Sequence, residues 1–287
     1  MSMERPWVSN YQEGVAATIE AHSFDSLNDY FLYYTRQYSE LTAFSNEGVE
    51  LTYHELRRFS LAFAAYCQKE LGLKKGDRVG LMMPNLLQYP VCFYGLLLAG
   101  CIVVNINPLY TPRELKHQLD DAGAKVIVIC TSFAKSLKTV LPEVALDHVI
   151  STSIGDMLGM VKGSVISWLL KTVKKQPTHA EIEHTLSFSS ILEQGFELSL
   201  DPVTVTRDDL ALLQYTGGTT GVAKSAMLSH INLLSNALQL RQWVRPDVDI
   251  SDTMMSPLPL YHIFSLLVCC ISSLSLGINS LLVINPR

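Results

Sequence analysis

Charge is scarce in this chain. Charged residues make up 17% of its 287 residues and the formal net charge is −5, against about a quarter charged in ordinary soluble domains. That balance excludes the clustered positive surface with which proteins grip nucleic acid. Cysteine is present without pattern: Cys67, Cys92, Cys101, Cys130, Cys269 and Cys270 form no C-x-x-C pair and no cysteine–histidine metal spacing. Buried thiols in a reducing compartment fit that usage better than a zinc or redox centre. The first residues, Met1 to Trp7, lack the apolar run of a secretory leader, so a cytoplasmic location is expected. Residues 79–112 and 253–286 contain no Asp, Glu, Lys or Arg at all. The first stretch is broken by Pro84, Pro90 and Pro108. Within the second, residues 263–284 could cross a bilayer on length alone. Five serines, Gly277 and Asn279 interrupt that run, and it reads instead as a buried helix followed by a central strand.

Local signals organise what is there. Ser26 opens a helix rich in aromatics (Tyr30, Phe31, Tyr33, Tyr34, Tyr38). Thr52–Glu55 and Thr111–Glu114 have capping-box spacing, the second with Pro112 at the first helical position. The helices they start are expected to stop at Gly72 and Gly123. Strands are expected over 78–83, 102–105 and 125–130, with a buried helix at 91–99 between the first two. Further strands are expected at 210–214, 253–256 and 278–284, and helices at about 230–239 and from about 264. Strand and helix alternate through short connections, which is the pattern of an α/β fold: doubly wound, mainly parallel sheets with flanking helices. Such sheets place ligands at the carboxyl ends of their strands.

One such end is unusual. The strand at 210–214 runs through Tyr215 into Thr216, Gly217, Gly218, Thr219, Thr220 and Gly221, with Lys224 close behind. The glycines allow sharp turns and close backbone approach to a ligand. Exposed N–H groups, threonine hydroxyls and one ammonium together suit a polyphosphate. A Walker loop is excluded, because Ala223 stands where its second glycine belongs. The helix at 230–239 is expected to bring its positive end near this loop, with His230 capping or orienting it and Tyr215 packing behind it. His22, His54, His117, His148, His179 and His184 are expected to be solvated.

Leu213 to Lys224 resembles the phosphate-loop signature of the adenylate-forming (acyl-activating) enzymes, with one departure: Ser225 follows where that family usually carries glycine. Residues 76–85 (Gly76-Asp77-Arg78 to Asn85), 104–110 (Val104 to Tyr110), Leu228-Ser229-His230 and 257–264 (Pro257-Leu258-Pro259-Leu260-Tyr261-His262-Ile263-Phe264) are similar to segments of bacterial long-chain fatty-acid–CoA ligases. The resemblance runs from about Ser26 to Arg287. It implies a fatty acid, ATP and coenzyme A as substrates and Mg²⁺ as cofactor. The acid's carboxylate attacks the α-phosphate, pyrophosphate leaves, and the thiol of coenzyme A then displaces AMP. No general base is needed, because the attacking carboxylate is already ionised. The resemblance assigns Thr216, Gly217, Gly218, Thr219, Thr220, Gly221 and Lys224 to the β- and γ-phosphates. It places His262 beside the acyl carboxylate and α-phosphate, and Tyr261 and Phe264 in the acyl pocket. Catalytic roles are thus expected for His262 and Lys224, and no protein ligand to a metal is assigned.

Other family motifs have no match here, namely aromatic-Gly-x-Thr-Glu for adenine and magnesium, and Thr-Gly-Asp for the ribose. Residues 1–25 are therefore expected to be an extension and 26–287 a partial AMP-binding domain without the C-terminal lid. Alone, the chain is expected to form no acyl-CoA. Two alternatives stay open: a ligase for a shorter or aromatic acid, and a non-catalytic binding module whose partner supplies the missing half. Residues 157–175 set Leu158, Val161, Val165, Trp168, Leu169 and Val173 apart from Lys162, Lys171, Lys174 and Lys175. That segment is either a surface helix packed on its own domain or a peripheral membrane contact on the inner face of the membrane. Oligomeric state is not legible.

Overall fold

The computed structural model describes residues 5–20, 23–158, 182, 184–216, 223–244 and 247–284. Ser26 caps helix α1 (Leu27–Gln37) by accepting the Asp29 N–H. A hairpin follows that the sequence signals do not announce, β1 (Thr42–Asn46) and β2 (Val49–Thr52). Its two turn residues, Glu47 and Gly48, have φ of 49° and 71°, the geometry that tight hairpins favour. Glu-Gly is simply a weaker signal for it than Asn-Gly.

Both capping boxes form. Thr52 and Glu55 satisfy each other's backbone N–H groups at the start of α2 (Tyr53–Lys69). After β3 (Arg78–Met82), α3 (Gln88–Leu98) and β4 (Ile102–Asn105), Thr111 and Glu114 do the same for α4 (Pro112–Ala122). Gly123 ends α4 in the left-handed conformation, at φ 60°. Helix α3 starts earlier than expected because Pro90 sits in its first turn, where a missing N–H costs nothing. Every residue of α3 is buried, which accounts for a segment without charge.

The chain continues through β5 (Val126–Cys130), α5 (Ala134–Val140), β6 (His148–Thr152), β7 (Leu186–Ser187) and α6 (Phe188–Gly195). Next come β8 (Leu210–Thr216), β9 (Lys224–Ser229), α7 (His230–Val244) and β10 (Thr253–Ser256). Helix α8 (residues 263–276) has three pieces, Ile263–Ser265, a π-helical stretch Leu266–Ser272, and Ser273–Leu276, and β11 (Asn279–Leu282) closes the described order. Two mixed sheets result, in the orders β7-β6-β5-β3-β4-β8-β9 and β10-β11-β1-β2. All pairings are parallel except β8–β9 and β1–β2. This is the expected doubly wound α/β architecture.

Helix α8 lies inside the protein. Tyr94 and Tyr30 donate to the carbonyls of Cys270 and Ile271 at 2.9 and 3.0 Å, and Ser280 Oγ donates to that of Cys269 at 2.7 Å. Three hydroxyls from three elements thus serve carbonyls at the wide turn, the kind of compensation that a π-helical stretch needs. Cys269 and Cys270 are buried free thiols, and burial pushes the Cys270 thiol strongly up. No helix among the described residues is long and apolar enough to cross a membrane.

The strand read as central at 278–284 is so: β11 pairs with β10 on one side and β1 on the other, and β10 is an edge. One expectation is corrected. The helix expected beside the phosphate loop is displaced by β9. Thr216 pairs with Lys224, whereas Leu210 pairs with Ser229, so α7 begins at the opposite end of β8, about 20 Å away at strand rise. His230 accordingly neither caps nor orients the loop. It is buried, and its Nδ1 accepts the Leu27 N–H of α1 at 3.2 Å.

Candidate active site

The parallel strands β3, β4 and β8 end on the same side of the large sheet, and the chain departs to opposite sides of β3, into β4 and then β5. That reversal of strand order opens a crevice at the carboxyl ends. A buried polar chain spans it. Tyr89 donates to Asn105 Oδ1 at 2.6 Å, Asn105 Nδ2 to Gln214 Oε1 at 3.0 Å, and Gln214 Nε2 to the Tyr261 carbonyl at 3.2 Å. Burial raises the Tyr89 phenol well above its ordinary value, with weaker help from Cys270, so it stays a donor.

Asn85, in the turn after β3, does the corresponding work on the other flank. Its Nδ2 donates to the carbonyls of Ser256 and Leu258 at 3.0 and 2.9 Å, and its Oδ1 accepts the Leu260 N–H at 2.7 Å. Asn46 Nδ2 ties the turn to the small sheet through the carbonyls of Asn85 (3.4 Å) and Leu282 (2.8 Å). Residues 256–261 are therefore laid across the strand ends by amide side chains, not by apolar packing alone.

At the end of that segment stands His262. It caps the first piece of α8, and its Nδ1 accepts the Phe264 N–H at 3.4 Å, which leaves Nε2 for other partners. His262 and Phe264 are exposed, while Tyr261 is half-buried. The Tyr261 phenol is raised by burial and then by Tyr110, which puts the loop after β4 alongside.

Thr216 and Lys224 face each other as the last pair of the β8–β9 ladder, both exposed. Gly217, Gly218, Thr219, Thr220 and Gly221 lie outside the described residues. Ser225, the departure from the expected glycine, occupies an ordinary ladder position opposite Tyr215. Extended backbone there accepts serine without strain.

The Tyr215 ring packs behind the hairpin as expected, and its hydroxyl donates to the Asp121 carboxylate. His117 departs from expectation. It is not merely solvated, because its Nε2 lies 3.2 Å from the Ala223 carbonyl. Sequence reasoning also gave no role to Asn85, Asn105 or Gln214. Their signal was a polar residue at the end of an apolar strand or in the turn after one.

Among the described residues no group of three or more His, Cys, Asp or Glu side chains could hold a metal. Asp121, the carboxylate beside the hairpin, is engaged by Tyr215. The described donor set at Thr216 therefore does not amount to a magnesium site, and no step below is routed through the ion.

A doubly wound sheet with a Gly/Thr hairpin at its carboxyl edge and a Tyr-His segment strapped across it defines the class. The AMP-binding enzyme family matches residues 32–286, and the chain belongs to it. The long-chain-fatty-acid–CoA ligase of Salmonella typhimurium is 46% identical over 99% of this chain and 51% of its own length. That of Bacillus subtilis is 33% identical over 98% of the chain and 50% of its own length. Among solved structures, a long-chain-fatty-acid–CoA ligase from Archaeoglobus fulgidus superposes with TM-score 0.74 at 24% identity, covering 96% of this chain and 50% of that one. An anthranilate CoA ligase in complex with anthranoyl-AMP gives 0.75 at 20% identity, covering 93% and 47%. At those identities the structural likeness establishes the fold. The chain spans about half the length of the curated relatives it matches.

Proposed function

We propose that this chain supplies the ATP- and acid-binding half of an AMP-forming ligase acting on long-chain fatty acids. The observation that carries the reading is the Gln214–Tyr261 hydrogen bond. It joins the strand that leads into the phosphate hairpin to the segment that carries His262, so that both flank one crevice. Identity of 46% to a long-chain-fatty-acid–CoA ligase supports the substrate class.

In this reading the hairpin at 216–224 holds the β- and γ-phosphates of ATP. Threonine hydroxyls and backbone N–H groups donate to the phosphate oxygens, and Lys224 offsets charge on the departing pyrophosphate. The acid's carboxylate oxygen forms a bond to the α-phosphorus as the bond to pyrophosphate breaks. His262 Nε2–H steadies the charge that develops between them, and Tyr261 and Phe264 border the acyl chain. The sulfur of coenzyme A then attacks the acyl carbonyl and AMP leaves. Magnesium, when present, shields the phosphate charges.

His262→Ala in the protein at its natural length is expected to lower the rate of acyl-adenylate formation by about 100-fold. Pyrophosphate exchange with palmitate measures this, and the melting temperature should stay near that of the parent. Unchanged exchange would remove His262 from the chemistry.

A further inference from the structure

Helix α4 holds both stems of the phosphate hairpin from one face. His117 and Asp121 are four residues apart, hence neighbours on that face. His117 Nε2 meets the Ala223 carbonyl at 3.2 Å, and because a carbonyl only accepts, the ring nitrogen donates. Asp121 accepts the hydroxyl of Tyr215. Burial, and then the carboxylate beside it, raises that phenol, so its proton stays in the bond. Tyr215 immediately precedes Thr216, and Ala223 immediately precedes Lys224. The helix is itself registered on the sheet by Gln118, whose Nε2 donates to the Asn105 carbonyl at 2.7 Å.

The hairpin needs such support. Among the described residues strand β9 is an edge of its sheet, bonded to β8 alone, and none of its residues is buried. Left to the ladder alone, the last pair, Thr216 and Lys224, would have to be ordered again each time an anion bound, and ordering subtracts from affinity. We propose that His117 and Asp121 are positioning residues for the nucleotide. They fix the spacing of the two stems, so that the Thr216 hydroxyl and the Lys224 ammonium stand ready for phosphate oxygens. The proposal rests on the reading of this hairpin as the phosphate site.

Four variants of the protein at its natural length separate the possibilities: His117→Ala, His117→Gln, Tyr215→Phe and Lys224→Ala. ATP affinity is read by titration calorimetry, and the pinning itself by amide hydrogen exchange along residues 223–229. His117→Ala and Tyr215→Phe should each weaken ATP binding by about three- to tenfold, the worth of one hydrogen bond, and speed exchange in β9. His117→Gln should restore both, because its amide nitrogen reaches the place of Nε2. Slow exchange and full affinity in His117→Ala would overturn the proposal, as would failure of His117→Gln to recover. Faster exchange with ATP affinity intact, while Lys224→Ala weakens binding, would show a tether with no positioning role. If Lys224→Ala also left ATP affinity intact, the phosphate reading would fall and the proposal with it.

Discussion

Asn85→Ala should destabilise the protein by roughly 2–6 kcal/mol: about 1–3 kcal/mol for the one buried group left without a partner and about 0.5–1.5 kcal/mol for each of two further hydrogen bonds lost. The side chain is 2% exposed and makes three bonds of 2.7 to 3.0 Å to the strip that includes Ser256, Leu258 and Leu260. Each partner belongs to the backbone, so the loss cannot be taken up by a rotamer change. The Leu258 carbonyl keeps a second donor in Ser265 and the Ser256 carbonyl one in the Val283 N–H, which holds the loss to that range. Leu260 is fully buried, and among the described residues its N–H has no second acceptor. Urea unfolding should show a lower midpoint with an unchanged slope, the sign of lost stability without a changed unfolded state. Asn85→Asp should be at least as damaging at neutral pH, because a buried carboxylate oxygen would then face the Ser256 and Leu258 carbonyls where an amide donor stood. An Asn85→Ala midpoint equal to the parent's would mean that the strip is held by apolar packing alone.

Acid should weaken the fold through His230, by about 3 kcal/mol between pH 6.5 and pH 4. Burial pushes this imidazole down from 6.5 to about 4, outweighing the pull of Asp209. Its Nδ1 accepts the Leu27 N–H, and a proton on that nitrogen would set donor against donor. The unfolded chain takes up the proton near pH 6.5 and the folded chain only near pH 4. Across that window the unfolded state binds more protons, so stability falls as pH falls. Above 6.5 both states are neutral here and the effect vanishes. Asp209, held down to about 2 mainly by Lys75, loses its contribution only below its ordinary value of 3.8. Unfolding free energies at about pH 7 and pH 4.5 should drop steeply for the parent and much less for His230→Asn. Equal slopes would place the acid sensitivity elsewhere.

Much of the local architecture could be read directly. Thr52, Thr111, Gly123 and Ser26 act through neighbours within a few residues, so their spacing alone gave helix starts and stops. The uncharged run at 263–284 was legible as buried for the same reason, since its serines and Gly277 argue against lipid. What escaped depends on distant partners. The strand at 224–229 shows little apolar alternation because it is an exposed edge, and so the helix at 230 was drawn to the wrong end of β8. The π-helical stretch is sustained by Tyr30 and Tyr94, which lie more than a hundred residues away in sequence. Asn85, Asn105, Gln214 and His117 are single polar residues whose bonds close loops of 13 to 175 residues; a polar residue at or just after the end of an apolar strand hints at the first three, but nothing local names their partners. At the candidate site Thr216, Lys224 and His262, the residues proposed to carry the chemistry, were therefore visible early. The amide framework that brings them to one crevice was not.

A crystal structure of the natural-length protein with ATP would show whether the crevice between the β8–β9 hairpin and the Tyr261–His262 segment receives the nucleotide. β- or γ-phosphate oxygens are expected within hydrogen-bond reach of the Thr216 hydroxyl and the Lys224 ammonium, with the α-phosphate turned toward His262. A triphosphate bound away from the carboxyl ends of β3, β4 and β8, with Thr216 and Lys224 facing only solvent, would contradict that expectation.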